Sequence, residues 1–201
     1  MTLNTPPATV LLGTASATGT ILADEPIADL APVLAGGKAV ASSPVYYTGP
    51  VAGLEKELIL LSAENLNIAV AGPNWFLHSG SGTDALSAAS GTNVLDGGTG
   101  SNFLTGGTGA DTFFIDARSA TQPIWNTVYK FQSGDAVTFW GVSTSTHSFT
   151  WLDDQGAEGY KGLTLHASGV GVPTASLTLP GYDLAHKNSA LTVLRSEEHT
   201  F

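Results

Sequence analysis

The chain has no cysteine, which excludes disulfides, thiolate metal sites and cysteine nucleophiles. Basic residues are scarce: 7 Lys and Arg stand against 17 Asp and Glu, a formal net charge of −10. With no basic stripe to neutralise phosphates, no nucleic acid is expected as a partner, and anionic lipid would repel the surface. Long apolar runs are missing too. Near the start, Val10-Leu11-Leu12 is too short for a signal-peptide core or a membrane span, and Met1 to Pro7 carries no Lys or Arg. Neither membrane insertion nor a cleaved N-terminal signal is expected. Charged residues are only 12% of the chain and hydrophobic ones 42%, which argues against a disordered polyanion.

Enzyme signatures are also lacking. There is no His-Glu-x-x-His and no Gly-x-Ser-x-Gly, and Gly36-Gly37-Lys38 has no upstream glycine of a phosphate loop. His78, His147, His166 and His186 are scattered singly and read as strand or surface residues. Asp153, Asp154 and Glu158 read as a solvated hairpin tip. Trp125, Trp140 and Trp151 read as core aromatics, with a sugar-stacking platform as the alternative. A non-catalytic chain is expected.

What is present is glycine, 24 residues, with 10 prolines, both of which break helix interiors. Thr, Val, Ser and aromatics fill much of the rest, so the expected fold is all-β. From Glu57 onward Ile59, Ile68, Leu77, Leu86, Leu95, Leu104 and Phe113 recur nine residues apart. A helix face repeats at three or four and a simple strand at two, so a period of nine means one strand and one turn per repeat. The pattern predicts a parallel β-roll, a nonapeptide solenoid, in which two repeats complete one coil.

A second pattern lies on the first. Gly82, Gly91, Gly100 and Gly109 form one column, and Asp84, Asn93, Asn102 and Asp111 form another two places later. Gly80, Gly98 and Gly107 add glycines ahead of three of these turns, while Ser79, Ala88 and Ala89 stand where further glycines are missing. Calcium takes six to eight hard oxygen ligands in flexible geometry. A glycine turn aims backbone carbonyls inward, and the Asp or Asn adds a side-chain oxygen. Turns one coil apart stack at about 4.8 Å, so an ion between them could take oxygens from both. Asp84 is expected over Asn102 and Asn93 over Asp111, giving two sandwiched Ca2+ sites. Each has one carboxylate and one amide, so weak binding of about 10⁻⁴ to 10⁻³ M is expected, tightened by Asn93→Asp and Asn102→Asp.

The units ending at Leu104 and Phe113 match the pattern Gly-Gly-x-Gly-x-Asp-x-apolar-x. The chain resembles the RTX, or hemolysin-type, calcium-binding proteins of Gram-negative bacteria over about 35 residues, Ser79 to Phe113. Asp111 to Asp116, Phe131 to Asp135 and Gly162 to His166 resemble the C-terminal region of certain proteobacterial members. The resemblance implies export by type I secretion machinery to the extracellular space or cell surface, and folding coupled to calcium outside the cell. It leaves the activity open. A non-catalytic calcium module, the export portion of a larger polysaccharide-modifying enzyme, and an adhesin binding cell-surface or extracellular glycan all remain.

Four regions are expected. Residues 1–56 show weak periodicity, with a short helix over 24–34 and a strand at 45–47. Residues 57–116 form the β-roll, with calcium turns at 79–113. Residues 117–194 form an antiparallel β unit, opened by a hairpin of 128–131 and 136–142 around Gln132-Ser133-Gly134-Asp135 and closed by a helix capped by Asp183 and a strand at 191–194. Arg195 to Phe201 reads as translated sequencing adapter.

Overall fold

The computed structural model describes residues 41–42, 47, 49–187 and 194–195. The expected helix over 24–34 lies outside the described residues, as do residues 45, 46, 191–193 and 196–201 of the expected end segments. In chain order the strands are β1 (Ala41–Ser42), β2 (Lys56–Leu60), β3 (Asn67–Val70), β4 (Trp75–Ser79), β5 (Ala85–Ala88), β6 (Val94–Asp96) and β7 (Phe103–Thr105). They continue as β8 (Thr112–Asp116), β9 (Ile124–Tyr129), β10 (Ala136–Trp140), β11 (His147–Gln155), β12 (Gly162–Gly169), β13 (Val172–Pro180) and β14 (Leu194–Arg195). A single 3-10 turn, Leu184–His186, is capped by the Asp183 side chain, as the sequence predicts.

The chain is all-β: a parallel β-roll followed by an antiparallel unit. From β2 to β11 successive strands alternate between two seven-stranded sheets, ordered β1-β2-β4-β6-β8-β10-β14 and β11-β12-β13-β9-β7-β5-β3. Partners within a sheet lie 18 residues apart, as in Ile68↔Leu86, Leu77↔Leu95, Leu86↔Leu104 and Leu95↔Phe113. One coil is therefore two nonapeptides. The apolar column fills the space between the sheets: Ile68, Leu77, Leu86, Leu95, Leu104 and Phe113 are buried in one continuous core.

Two expectations are corrected. The first concerns Ile59. Leu58, not Ile59, pairs with Leu77, a separation of 19 residues. One extra residue between β2 and β3 shifts the register, and a shift of one sends every side chain to the other face. Leu58 therefore enters the core, while Ile59 joins Phe76, Val94 and Phe114 on the outer face of the first sheet.

The second correction concerns the hairpin. The segments flanking Gln132 to Asp135 do not pair with each other. β9 pairs parallel with β7, and β10 parallel with β8, in opposite sheets. Parallel pairing thus runs past Asp116 to Trp140. The separation widens from 18 to 24 residues, as in Leu104↔Val128 and Phe113↔Val137, because six residues are inserted between β8 and β9. Val128 and Val137 then extend the buried column, again nine residues apart. The insertion breaks the period and hides the last coil from a repeat search.

Beyond the roll, β11, β12 and β13 form the antiparallel unit, and β13 docks parallel on β9. Leu163, Leu165, Leu177 and Leu179 carry the same core onward. The second sheet is thereby shared by roll and antiparallel unit.

Candidate functional site

The turns between strands stack along the two edges of the roll. On the first edge the chain passes from the first sheet to the second through 80–84, 97–102 and the longer 117–123. On the second edge it returns through 89–93, 106–111 and 130–135. Both edges carry a ladder of Asp and Asn side chains, each bonded to the coil before it. On the first edge, Oδ1 of Asp84 accepts from Leu66 N (2.8 Å), Asn102 Oδ1 from Asp84 N (2.9 Å) and Asn126 Oδ1 from Asn102 N (3.0 Å). On the second, Asn93 Oδ1 accepts from Trp75 N (3.0 Å), Asp111 Oδ1 from Asn93 N (3.1 Å) and Asp135 Oδ1 from Asp111 N (2.9 Å).

Asp84 thus stacks on Asn102 and Asn93 on Asp111. Asn126 and Asp135 belong to the same columns. Sequence reading missed both because the insertion displaces them. The signal available was local: Asn126-Thr-Val128 and Asp135-Ala-Val137 keep the two-residue step from Asx to apolar seen at Asn93-Val-Leu95. Asp84, Asn93, Asn102, Asp111, Asn126 and Asp135 are all buried.

Glycine makes the stacking possible. A Cβ on Gly98 would collide with the Gly80 carbonyl, one on Gly100 with the Gly82 carbonyl, and one on Gly109 with the Gly91 carbonyl. Gly80, Gly82 and Gly107 are equally crowded by Ser62, Glu64 and Ala89 of the coil before, and Gly91 by Pro73. Backbone hydrogen bonds link the stacked turns, Ser81 N to Ser62 O, Thr99 N to Gly80 O and Thr108 N to Ala89 O.

The four glycine turns differ in how their polar atoms are satisfied. Asn93 Nδ2 donates to Ser90 O (3.0 Å), Gly91 O (3.2 Å) and Asp111 Oδ1 (2.7 Å). Asn102 Nδ2 donates to Gly100 O (3.2 Å). Gln132 Nε2 donates to Gly107 O (2.9 Å) and Gly109 O (3.0 Å), while Asp111 Oδ2 accepts from Gly107 N. The Asp84 turn is the exception. Oδ2 of Asp84 is buried without a hydrogen-bond partner, and so is the neighbouring Ser79 Oγ. Burial pushes the Asp84 carboxyl above its usual value, against the Leu66 N–H, the nearby Ser79 hydroxyl and His78, which lower it. A groove of about 420 Å³, lined in part by Ser79, Gly80, Ser81, Gly98 and Thr99, opens on this edge.

Whether a hard cation fits can be judged from these donors. Among the described residues no three His, Cys, Asp or Glu side chains converge. Any ion would therefore depend on backbone carbonyls joined to one or two side chains, which is how calcium is bound in tight loops. The Asp84 turn supplies both kinds of donor, a buried, orphaned carboxylate oxygen and the Gly80 and Gly82 carbonyls that face the next turn.

Asp135 is raised to about 6, first by burial and also by the Asp111 carboxylate, against N–H groups of Asp111 and Gln132 that lower it. A carboxyl whose folded value exceeds its ordinary 3.8 opposes folding above about pH 6 and ceases to do so as the pH falls toward 3.8. The gap between 3.8 and about 6 sets a ceiling of about 3 kcal/mol on this effect. Urea unfolding in EGTA is expected to show the wild type gaining stability between pH 7.5 and pH 5 relative to Asp135→Asn. Asp84, shifted in the same direction, contributes equally to both chains and cancels. Parallel stability curves for the two chains would contradict the assignment.

The remaining candidates fall elsewhere. His78 lies in β4, buried, with Nδ1 2.9 Å from Asp96 Oδ2 on β6, a pair that sequence reading did not anticipate. Trp140 is buried against the Arg118 guanidinium, and Trp151 packs half-buried on the core. Trp125 is 38% exposed on the outer face of the second sheet and donates from Nε1 to Thr178 Oγ1. Phe103 and Tyr129 each meet Tyr160 edge-on on that face and are tilted against one another. Asp153 and Asp154 lie exposed at the end of β11, and Glu158 lies exposed in the β11–β12 connection.

No protein-family model and no curated protein matches the chain. Among solved structures, the solution structure of the AlgE6R3 subunit from the Azotobacter vinelandii mannuronan C5-epimerase is similar at a TM-score of 0.39 and 20% identity. The match covers 69% of this chain and 76% of that one.

Proposed function

We propose that the chain is a non-catalytic, calcium-binding β-roll module of the RTX type, exported through type I secretion machinery and stabilised by calcium outside the cell. The observation that carries this reading is the Oδ2 of Asp84, buried in the 80–84 glycine turn with no backbone donor and the Ser79 hydroxyl nearby. A carboxylate oxygen held away from water without a donor is costly, and a divalent cation relieves that cost. The sequence pattern Gly-Gly-x-Gly-x-Asp at 106–111 and its degenerate copies support the same reading. The formal charge of −10 favours a cation as partner.

With one carboxylate at the Asp84–Asn102 position, calcium binding is weak, about 10⁻⁴ to 10⁻³ M. Thermal unfolding of the whole chain across a calcium titration tests the reading. The melting temperature rises with free calcium through the millimolar range, and terbium luminescence is displaced over the same range. A melting temperature identical in EGTA and in millimolar calcium would refute it.

A further inference from the structure

The calcium reading treats the Asp and Asn turns as equivalent, but their hydrogen bonds divide them. A backbone N–H can only donate, so the Trp75 N–H fixes the Asn93 amide with its oxygen toward Trp75 and its NH2 toward the turn. That NH2 lies among Ser90 O, Gly91 O and Asp111 Oδ1, two carbonyls of one turn and a carboxylate of the next. This is the set of oxygens that a cation between those turns would gather. One coil on, the Gln132 NH2 bridges Gly107 O and Gly109 O, two of the glycine carbonyls of the 106–111 turn. Asp111 also has its Oδ2 satisfied by Gly107 N, and Asp135 has its Oδ2 satisfied by Gln132 N. Among the described residues, no buried side-chain oxygen of this edge is left without a partner.

On the other edge the clamp is incomplete. The Asn102 NH2 reaches Gly100 O alone, at 3.2 Å. No side-chain amide reaches the carbonyls of the 80–84 turn among the described residues, and Asp84 Oδ2 and Ser79 Oγ are buried in that region without a hydrogen-bond partner.

We infer that the side-chain amides of Asn93 and Gln132 act as built-in substitutes for the ion. The second edge of the roll therefore closes without metal, and a single calcium position remains at the Asp84 turn. The second half of this inference rests on the calcium reading above; the first half does not. An NH2 group carries partial positive charge and two donors, enough to bind converging carbonyls but not to neutralise a carboxylate pair. It holds the turn at every calcium concentration, whereas an ion holds it only where calcium is abundant. The chain thus joins a constitutive edge to a calcium-dependent one, and the constitutive edge can align the strands before the ion binds.

Asn93→Asp tests the idea directly. It removes the NH2, and it sets a second carboxylate against Asp111. In EGTA the variant is expected to melt about 10 °C below the wild type. In millimolar calcium it should recover most of that loss. Terbium titration of the full chain should count one ion for the wild type and two for the variant. Gln132→Met, a near-isosteric change at a half-buried position, removes donors without adding a ligand. It should lower the melting temperature equally in EGTA and in calcium, and it decides the matter if Asn93→Asp fails to fold in either buffer. An Asn93→Asp chain as stable as wild type in EGTA, an unchanged Gln132→Met chain, or a wild type that binds two ions would overturn the inference. A wild type that binds none would instead overturn the calcium reading and the single remaining site, while the EGTA comparison still judges the clamps.

Discussion

Asp84→Asn raises the melting temperature in EGTA and abolishes the further rise that millimolar calcium gives the wild-type chain. The two effects have one cause. In the apo chain, Asp84 places a carboxylate oxygen in a site where the residue is 1% exposed and that oxygen accepts no hydrogen bond. An unsatisfied buried polar atom costs about 1–3 kcal/mol, more when charged. Asparagine keeps the Oδ1 that accepts from Leu66 N and replaces the orphaned oxygen with a donor. Asn93 shows what that donor does in an equivalent turn, where its NH2 bonds the carbonyls two and three residues back. The matching carbonyls before Asp84 belong to Ser81 and Gly82. The apo roll therefore gains about 1–3 kcal/mol, several degrees in a chain of this size. The ion loses its only carboxylate at that position, and with it the calcium-dependent increment. If Asp84→Asn kept the wild-type response to calcium, the ion would have to bind elsewhere. If its stability in EGTA fell, the orphaned oxygen would not be a burden.

Gly100→Ala is expected to cost about 4 kcal/mol or more of stability, measured by urea unfolding in calcium. The reason is proximity rather than backbone conformation. A Cβ at Gly100 would overlap the carbonyl oxygen of Gly82 in the stacked turn. That carbonyl is backbone, so relief requires the two turns to part, and parting them breaks the strand pairing on either side. Gly171 is the comparison. Its φ is +75° and nothing lies within 4 Å of its Cβ position, so Gly171→Ala pays only the left-handed strain, about 1 kcal/mol. Gly98 combines both conditions, with a φ of +69° and a Cβ directed onto the Gly80 carbonyl. Equal losses for Gly100→Ala and Gly171→Ala would mean that the turns have room to spare.

Much of the fold was legible because the repeat is local and strict. Each nonapeptide carries its own turn glycine, its own Asp or Asn and its own core residue, so the spacing alone implied parallel strands and an 18-residue coil, as Leu86↔Leu104 bears out. Legibility failed where the spacing changed. One extra residue before β3 exchanged Ile59 for Leu58 in the core. Six extra residues before β9 disguised a fourth pair of stacked turns as a hairpin, because a polar Gln-Ser-Gly-Asp between two apolar strands satisfies the hairpin pattern equally well. Asn126, Gln132 and Asp135 were lost with it.

The amino-acid sequence by itself determined the all-β character, the parallel roll, and the stacking of Asp84 on Asn102 and Asn93 on Asp111. A period of nine means one strand and one turn per repeat, which puts the column from Ile68 to Phe113 between the sheets. Only the tertiary structure decided what each turn does with its oxygens. The orientation of an amide depends on which backbone N–H the neighbouring coil presents, and that donor lies 18 residues away for Asn93 and 24 for Asn126. Gln132 reaches its two carbonyls from 25 and 23 residues away. No local pattern encodes such distances. Asparagine and aspartate therefore look interchangeable along the chain, yet in the folded roll Asn93 clamps its turn and Asp84 leaves an oxygen without a partner.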